Sequence, residues 1–177
     1  NATSVAHLEN SGNISGGSGS FRGNETADFI VNTGVMKGDI VFNAGDDVLD
    51  GAKGKIVGKV FGGDGNDILY TGKGNQRIDG GANNDIIDGG KGKDVLRGGT
   101  GIDTFVFSTG YGKDEVVDFA IGTDLINLSG WKAIKDFDDL LSHAKKHGSD
   151  LWITAGKDVL ILDNVTKGNL QEADFLF

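Results

Sequence analysis

Large apolar side chains recur along this chain at intervals close to nine. Ile30, Leu49, Leu69, Ile78, Ile87, Leu96 and Phe105 each take the eighth place of a short unit that opens on glycine-rich or turn-forming residues. The clearest block is residues 62–106, which reads GGDGNDILY, TGKGNQRID, GGANNDIID, GGKGKDVLR and GGTGIDTFV, five nine-residue units end to end. A period of nine is too short for the helical solenoids. It fits one turn plus one short strand, in which one large side chain points inward and its neighbours point out. Two such units close one coil of a flattened roll. Residues 23–61 carry weaker copies, GNETADFIV from Gly23 and NAGDDVLD at 43–50, with irregular turns at Lys37-Gly38 and Lys53-Gly54-Lys55. The pattern predicts an all-β chain, a right-handed parallel β-roll of glycine-rich nonapeptides.

The periodicity divides the chain into three stretches. Residues 1–20 are polar, and Ser15 to Ser20 reads as a linker or a first irregular turn. Residues 21–107 are the roll. Residues 108–177 begin with one more unit, TGYGKDEVV at 109–117, and then change character. Asp136 opens a predicted helix with Phe137, Leu140, Leu141 and Ala144 on one side, Lys145, Lys146 and His147 in its last turn and Gly148 after it. A hairpin follows, with strands near 150–155 and 158–163. This stretch reads as a C-terminal cap with one helix and a β-hairpin, burying the open end that any solenoid must cover.

Composition narrows the chemistry. Among 177 residues there are 31 glycines and no cysteine or proline. The glycines follow no Gly-X-Y period, which excludes collagen. The lack of cysteine excludes disulfides, thiolate metal sites and cysteine nucleophiles. A net charge of −9 argues against nucleic acid and favours cations. No stretch approaches transmembrane length. The chain starts at Asn1 without a signal peptide, as expected of a piece of a longer protein. No nucleophile–base constellation, P-loop or dinucleotide fingerprint is present. His143 and His147 lie four apart but lack the glutamate of a zinc-protease helix, so they read as a solvated face.

In a two-unit coil, alternate turns stack on the same edge. One edge takes the sixth-place residues Asp28, Asp47, Asp67, Asp85 and Asp103 without a gap. On the other edge Ile56 and Gln76 fill two of these places, Asp94 keeps one, and Asp114 extends it. That edge carries Lys37, Lys53, Lys73 and Lys91, each before a glycine. The core is thin, one large side chain per nine residues, and burial alone is small beside the entropy of ordering the turns. Calcium takes six to eight oxygens in irregular geometry. A glycine turn can aim its carbonyls inward because glycine tolerates left-handed backbone, and an aspartate adds charge. Two stacked turns then complete a shell. The expected ligands are Asp47; Gly62, Gly63, Gly65 and Asp67; Gly80, Gly81, Asn83 and Asp85; Gly90, Gly92 and Asp94; Gly98, Gly99, Gly101 and Asp103; with Asp28 and Asp114 outlying. About four ions would fit, their eight charges nearly cancelling the net −9. The bland reading is that the aspartates only cap turns and that the lysines are solvated. The sharper reading of the lysines is a row that binds an acidic polymer.

The units GGDGNDILY, GGANNDIID, GGKGKDVLR and GGTGIDTFVF resemble the RTX (repeats-in-toxin) family of secreted bacterial proteins. Residues 103–130, DTFVF…GKDEVVDF…GTDLINLSG, are similar to the segment after the repeats in serralysin C-terminal domains and in alginate epimerase R-modules. The resemblance implies Ca2+ ligands at Asp67, Asp85, Asp94 and Asp103, and at Asp47 with Asn43 replacing a glycine. It implies a chain that leaves a Gram-negative cell through the type I secretion apparatus and folds on calcium outside, with Asp174 to Phe177 as part of the export signal. The reading is a non-catalytic calcium-binding module that caps or stabilises an exported parent protein, itself an enzyme such as an epimerase, lyase or protease. The alternatives are a carbohydrate-binding accessory module for an acidic, alginate-like polysaccharide, and an adhesin end-domain. Neither nucleic acid nor membrane insertion enters any of them.

Overall fold

Each glycine-opened turn returns the chain beside its previous coil, so the inward residues stack. The computed structural model describes residues 6–15 and 19–177. Leu8, Ile30, Leu49, Leu69, Ile87, Phe105, Ile126 and Phe175 form one column along an eight-stranded parallel sheet. Phe21, Ile40, Val60, Ile78, Leu96, Val116 and Leu162 form the facing column along the second, nine-stranded sheet. Only Leu8 and Phe21, on the first coil, are incompletely buried. The core is therefore a double file of aliphatic and phenylalanine side chains between two sheets. Among the described residues no helix is long and apolar enough to cross a membrane.

The pairing of two nonapeptides per coil holds downstream and fails upstream. Asp67, Asp85 and Asp103 follow one another at 18 residues. Before them the spacing is 19 and 20 residues, and the upstream coils have a third side built of strands. Asn13–Ser15, Val35–Lys37 and Lys55–Val57 make a three-stranded parallel sheet, with Ile14, Met36 and Ile56 in register toward the core. Residues 23–61 are thus three-sided coils rather than decayed nonapeptide pairs. The stretch read as a linker or a first irregular turn carries strands of the first coil at His7–Asn10 and Asn13–Ser15, and Phe21–Arg22 follows it. Residues 1–5 and 16–18 of that stretch lie outside the described residues.

The C-terminal cap extends both sheets. Asp158–Leu162 runs parallel to Lys113–Val116 on the second sheet, and Phe175–Leu176 runs parallel to Leu125–Gly130 on the first. The helix is shorter than its pattern suggests. It covers Phe137–His143, with Asp136 as the N-cap accepting the Asp139 amide at 2.8 Å. Ala144 turns to extended backbone, and Ala144–His147 becomes a strand antiparallel to Asp150–Ala155. The expected hairpin is therefore a three-stranded antiparallel unit. Tertiary contact overrides helical propensity here. His147 stacks on Trp152 with 4.4 Å between ring centroids, and Lys113 Nζ stands 4.0 Å from the same ring. His143 and His147 consequently sit on different elements. His143 Nδ1 lies 2.8 Å from the Asp139 carbonyl oxygen instead.

Candidate metal centre

Stacking the turns brings the sixth-place aspartates into a continuous ladder. On the first edge each Oδ1 accepts the backbone amide of the aspartate one coil earlier. Asp67 takes it from Asp47 at 2.8 Å, Asp85 from Asp67 at 2.9 Å and Asp103 from Asp85 at 2.9 Å. Asp47 receives the Asp28 amide in the same way. The ladder then continues to Asp124, which accepts the Asp103 amide at 3.1 Å. On the second edge Asp94 accepts from Gln76 at 2.7 Å and Asp114 accepts from Asp94 at 3.0 Å. All these carboxylates are buried.

The second carboxylate oxygen separates these residues into two kinds. Oδ2 of Asp47, Asp67, Asp85 and Asp94 is buried without a hydrogen-bond partner. An unpaired buried oxygen on a charged group is costly, and such groups call for a proton, a donor or a cation. At the ends of the first ladder the carboxylates are saturated. Asp28 receives the amides of Ala6 at 2.8 Å and Asn24 at 3.1 Å, and the Asn24 side-chain amide at 3.0 Å. Asp124 receives the Ala120 amide on Oδ2 at 2.9 Å.

Burial raises carboxyls on both sides of that division, Asp124 included. Burial pushes the carboxyls of Asp47 up to about 7, Asp67 to about 6, Asp85 to about 8, Asp94 to about 6 and Asp114 to about 8, against the opposing backbone hydrogen bonds. Neighbouring carboxylates add to the rise at Asp47, Asp67, Asp85 and Asp114. Asp103 is raised by burial and by Asp124 and Asp118.

The glycines beside these oxygens leave a cradle. A Cβ on Gly62 would collide with Asp67 Oδ2 and with the Gly80 carbonyl oxygen of the next coil. One on Gly80 would collide with Asp85 Oδ2 and stand 2.7 Å from the Gly98 oxygen. One on Gly98 would meet Asp103 Oδ2, and one on Gly89 would stand 2.7 Å from Asp94 Oδ2. Oxygens from two successive coils thus face one side-chain-free space. Within the turns Gly63, Gly65, Gly81, Gly90, Gly92, Gly99 and Gly101 take positive φ, and so does Asn83 at 78°, a conformation asparagine tolerates. Among the described residues no three carboxylate or imidazole groups converge. A cation here would therefore draw most of its oxygens from backbone, which suits calcium and excludes a nitrogen- or sulfur-ligated metal. The donor set fits calcium at Asp47, Asp67, Asp85 and Asp94, with Asp103 and Asp114 as the facing carboxylates.

The second edge differs residue by residue. Gln76 is buried, and its Nε2 donates to the carbonyls of Ile56 at 2.9 Å and Lys73 at 3.3 Å. A neutral amide thus occupies carbonyls that a cation would otherwise hold. The lysines do not form the expected row of four. Lys55, Lys73 and Lys91 stand in register one coil apart, Lys37 pairs with Val57, and Lys53 sits in the preceding turn.

Several residues escaped the sequence pattern. Asp158 accepts the amides of Gly110 at 2.8 Å and Gly112 at 3.0 Å and ends the second edge. Asp174 accepts the Gly122 amide at 2.9 Å on the first. Both come from the cap, too far along the chain for any spacing to reveal. The fifth-place residues form an outer ladder, with Asp46 accepting from Asn66, Asn66 from Asn84, and Asn84 from Ile102 at 2.7–3.1 Å. The recurrence of Asp or Asn at that place was the available signal.

Comparison with known proteins adds a family match over part of the chain. Residues 59–75 and 70–105 match the family model of the RTX calcium-binding nonapeptide repeat. The chain is also similar to the extracellular lipase LipA from Serratia marcescens, with 14% identity and a TM-score of 0.46 over 88% of this chain. It spans 39% of that lipase's length. No curated protein matches the sequence significantly.

Proposed function

We propose, from the premise that residues 59–105 are RTX calcium-binding nonapeptide repeats, that this chain is a non-catalytic module whose folding is coupled to calcium in an exported protein. The observation that carries the reading is the set of buried, unpartnered Oδ2 atoms on Asp47, Asp67, Asp85 and Asp94. Beside Asp67, Asp85 and Asp94 a glycine takes the place of a side chain, and at the first two a carbonyl oxygen of the next coil faces the same space. About four ions fit, one at each of these aspartates. When bound, calcium supplies the positive charge that lets stacked carboxylates stay ionised in the interior. The chain's own part is to hold Oδ1 of each carboxylate on a backbone amide, so that Oδ2 is fixed in place.

Such a module folds where calcium is abundant, since calcium-binding extracellular modules work at about 0.1–1 mM. That favours an exported parent whose chain crosses the cell envelope unfolded. Phe175 is buried against Phe119 and Phe137, whereas Leu176 and Phe177 remain exposed. The test of the calcium claim is circular dichroism while calcium is withdrawn with EGTA. The roll's β signal is expected to be lost and to return with calcium, and a signal that persists contradicts the reading. For export, Leu176→Ala with Phe177→Ala should lower secretion through a type I exporter without changing the calcium-bound fold. Unchanged secretion removes those residues from the signal.

A further inference from the structure

The outer faces of the two sheets carry different chemistry. Strand alternation puts Ile30, Leu49, Leu69 and Ile87 in the core, so their neighbours point out. Phe29, Val48, Ile68, Ile86, Thr104 and Leu125 thereby stand in register along the outside of the first sheet, one per coil. All six are partly exposed. The eight strands of that sheet contain no lysine or arginine, and their acidic side chains are Glu9, Asp50 and Asp88. Outer positions of the second sheet include Lys59, Arg77 and Arg97, all exposed, and Arg97 stands 3.5 Å from the carboxylates of Asp79 and Asp118. Charged side chains solvate that face. The first sheet instead presents an apolar stripe, although a parallel sheet ordinarily has both faces covered.

The dimensions of the stripe favour a single helix as its cover. Neighbouring strands lie about 4.8 Å apart, so the column from Phe29 to Leu125 is about 24 Å long. On one border stand Asp46, Asn66 and Asn84, exposed and joined in the outer ladder. On the other stand Asp50 and Asp88, with Tyr70 in register between them. The borders are separated by about 13 Å of strand. An α-helix with its side chains is about 10–12 Å across, and about 16 residues of helix span the length of the stripe. The area between the borders is about 300 Å², well under the roughly 800 Å² per partner of a stable pair of folded surfaces. A second copy would bring the same acids against these, and like charges repel. We propose that the stripe docks a basic amphipathic helix of a partner protein. Its apolar side would lie on Phe29, Val48, Ile68, Ile86 and Leu125, and its lysines or arginines on the acidic borders. Such a helix carries apolar anchors at i, i+3, i+4 and i+7. The proposal rests on the calcium reading only in requiring a folded roll, and loss of folding and loss of docking give different signals.

The test is isothermal titration of calcium-loaded protein at about 0.15 M salt, where long-range attraction is screened. The probe is a leucine–lysine peptide of about 16 residues with its leucines at helical spacing. The controls are a scrambled peptide of the same composition and a leucine–glutamate peptide of the same spacing. The leucine–lysine helix is expected to bind with micromolar Kd, and both controls at least tenfold more weakly. Ile68→Thr with Ile86→Thr, which keeps β-branched side chains in the strands, should raise Kd at least tenfold. Glu9→Gln with Asp50→Asn should raise it severalfold. Val41→Thr with Phe61→Thr, on the outside of the second sheet, should leave it unaltered. Circular dichroism in calcium should be the same for all three variants. Absence of binding at millimolar concentration, equal binding of either control peptide, or equal weakening by the second-sheet variant would each overturn the proposal. So would a dimer in sedimentation velocity that Ile68→Thr with Ile86→Thr dissolves, because the stripe would then serve a second copy.

Discussion

The two edges of the roll share the same strands and the same core, yet their turns are filled differently. On the first edge three successive coils, at Asp47, Asp67 and Asp85, each bury one unpartnered carboxylate oxygen. On the second edge the side-chain nitrogen of Gln76 donates to the Ile56 carbonyl while its Oε1 stays buried and unpartnered, and Asp94 repeats the first edge's pattern. The first edge is incomplete without a cation. The second buries two unpartnered oxygens of its own, Gln76 Oε1 and Asp94 Oδ2, and its exposed surface carries lysines stacked one coil apart. A solenoid can therefore hold its strand register with either turn chemistry. The choice decides which edge responds to calcium and which is left for other partners. The same contrast runs along the first edge itself, where the saturated carboxylates Asp28 and Asp124 close the series of open ones.

The largest expected effect comes from the open kind. Asp85→Asn should abolish at least one calcium site and lower stability in calcium by about 3 kcal/mol when calcium is about a hundredfold above Kd. Asp28→Asn should change ion stoichiometry not at all and cost about 1 kcal/mol, the value of a hydrogen bond. Calcium titration with thermal unfolding of both variants checks the contrast. Equal effects at the two positions would erase it.

Acid should invert the usual behaviour of the metal-free roll. The folded-state carboxyls of Asp47, Asp67, Asp85, Asp94 and Asp114 titrate at about 6 to 8, above their ordinary value of 3.8. Raised carboxyls stabilise the fold fully below the unfolded value, and that stability is lost as pH rises through the folded values. In EGTA the melting temperature should therefore be higher at pH 5 than at pH 8.5. In calcium the affinity should fall over the same interval on acidification, because protons compete for the same oxygens. Melting curves at the two pH values check both statements.

Gln76→Ala carries a smaller expectation. It leaves the carbonyls of Ile56 and Lys73 without their donor and should cost about 1–3 kcal/mol, with calcium stoichiometry unchanged. A variant that gained or lost an ion would show that the Gln76 amide does not stand in for a cation at this turn.

Much of this architecture was legible because a parallel roll repeats itself. The inward file of Ile30, Leu49, Leu69, Ile87 and Phe105 and the aspartate series on the first edge both follow from one spacing, and the register bears out each step. The third side of the upstream coils was not legible. Val35–Lys37 and Lys55–Val57 are only three residues each and lie among residues that equally describe irregular turns. The lysine register depended on that third side, so Lys55 rather than Lys53 stands beside Lys73. The saturation of Asp28 was hidden because its donors, Ala6 and Asn24, belong to two different coils. The helix was overestimated because Lys145 to His147 read well as a last turn, whereas the Trp152 ring gives His147 a better position in a strand.

The most direct test of the central claim is an anomalous difference map from crystals grown in calcium. Peaks are expected beside Asp47, Asp67, Asp85 and Asp94, where the buried oxygens lack partners, and none beside Asp28 or Asp124. A peak at either saturated aspartate, or none at the four open ones, would contradict it.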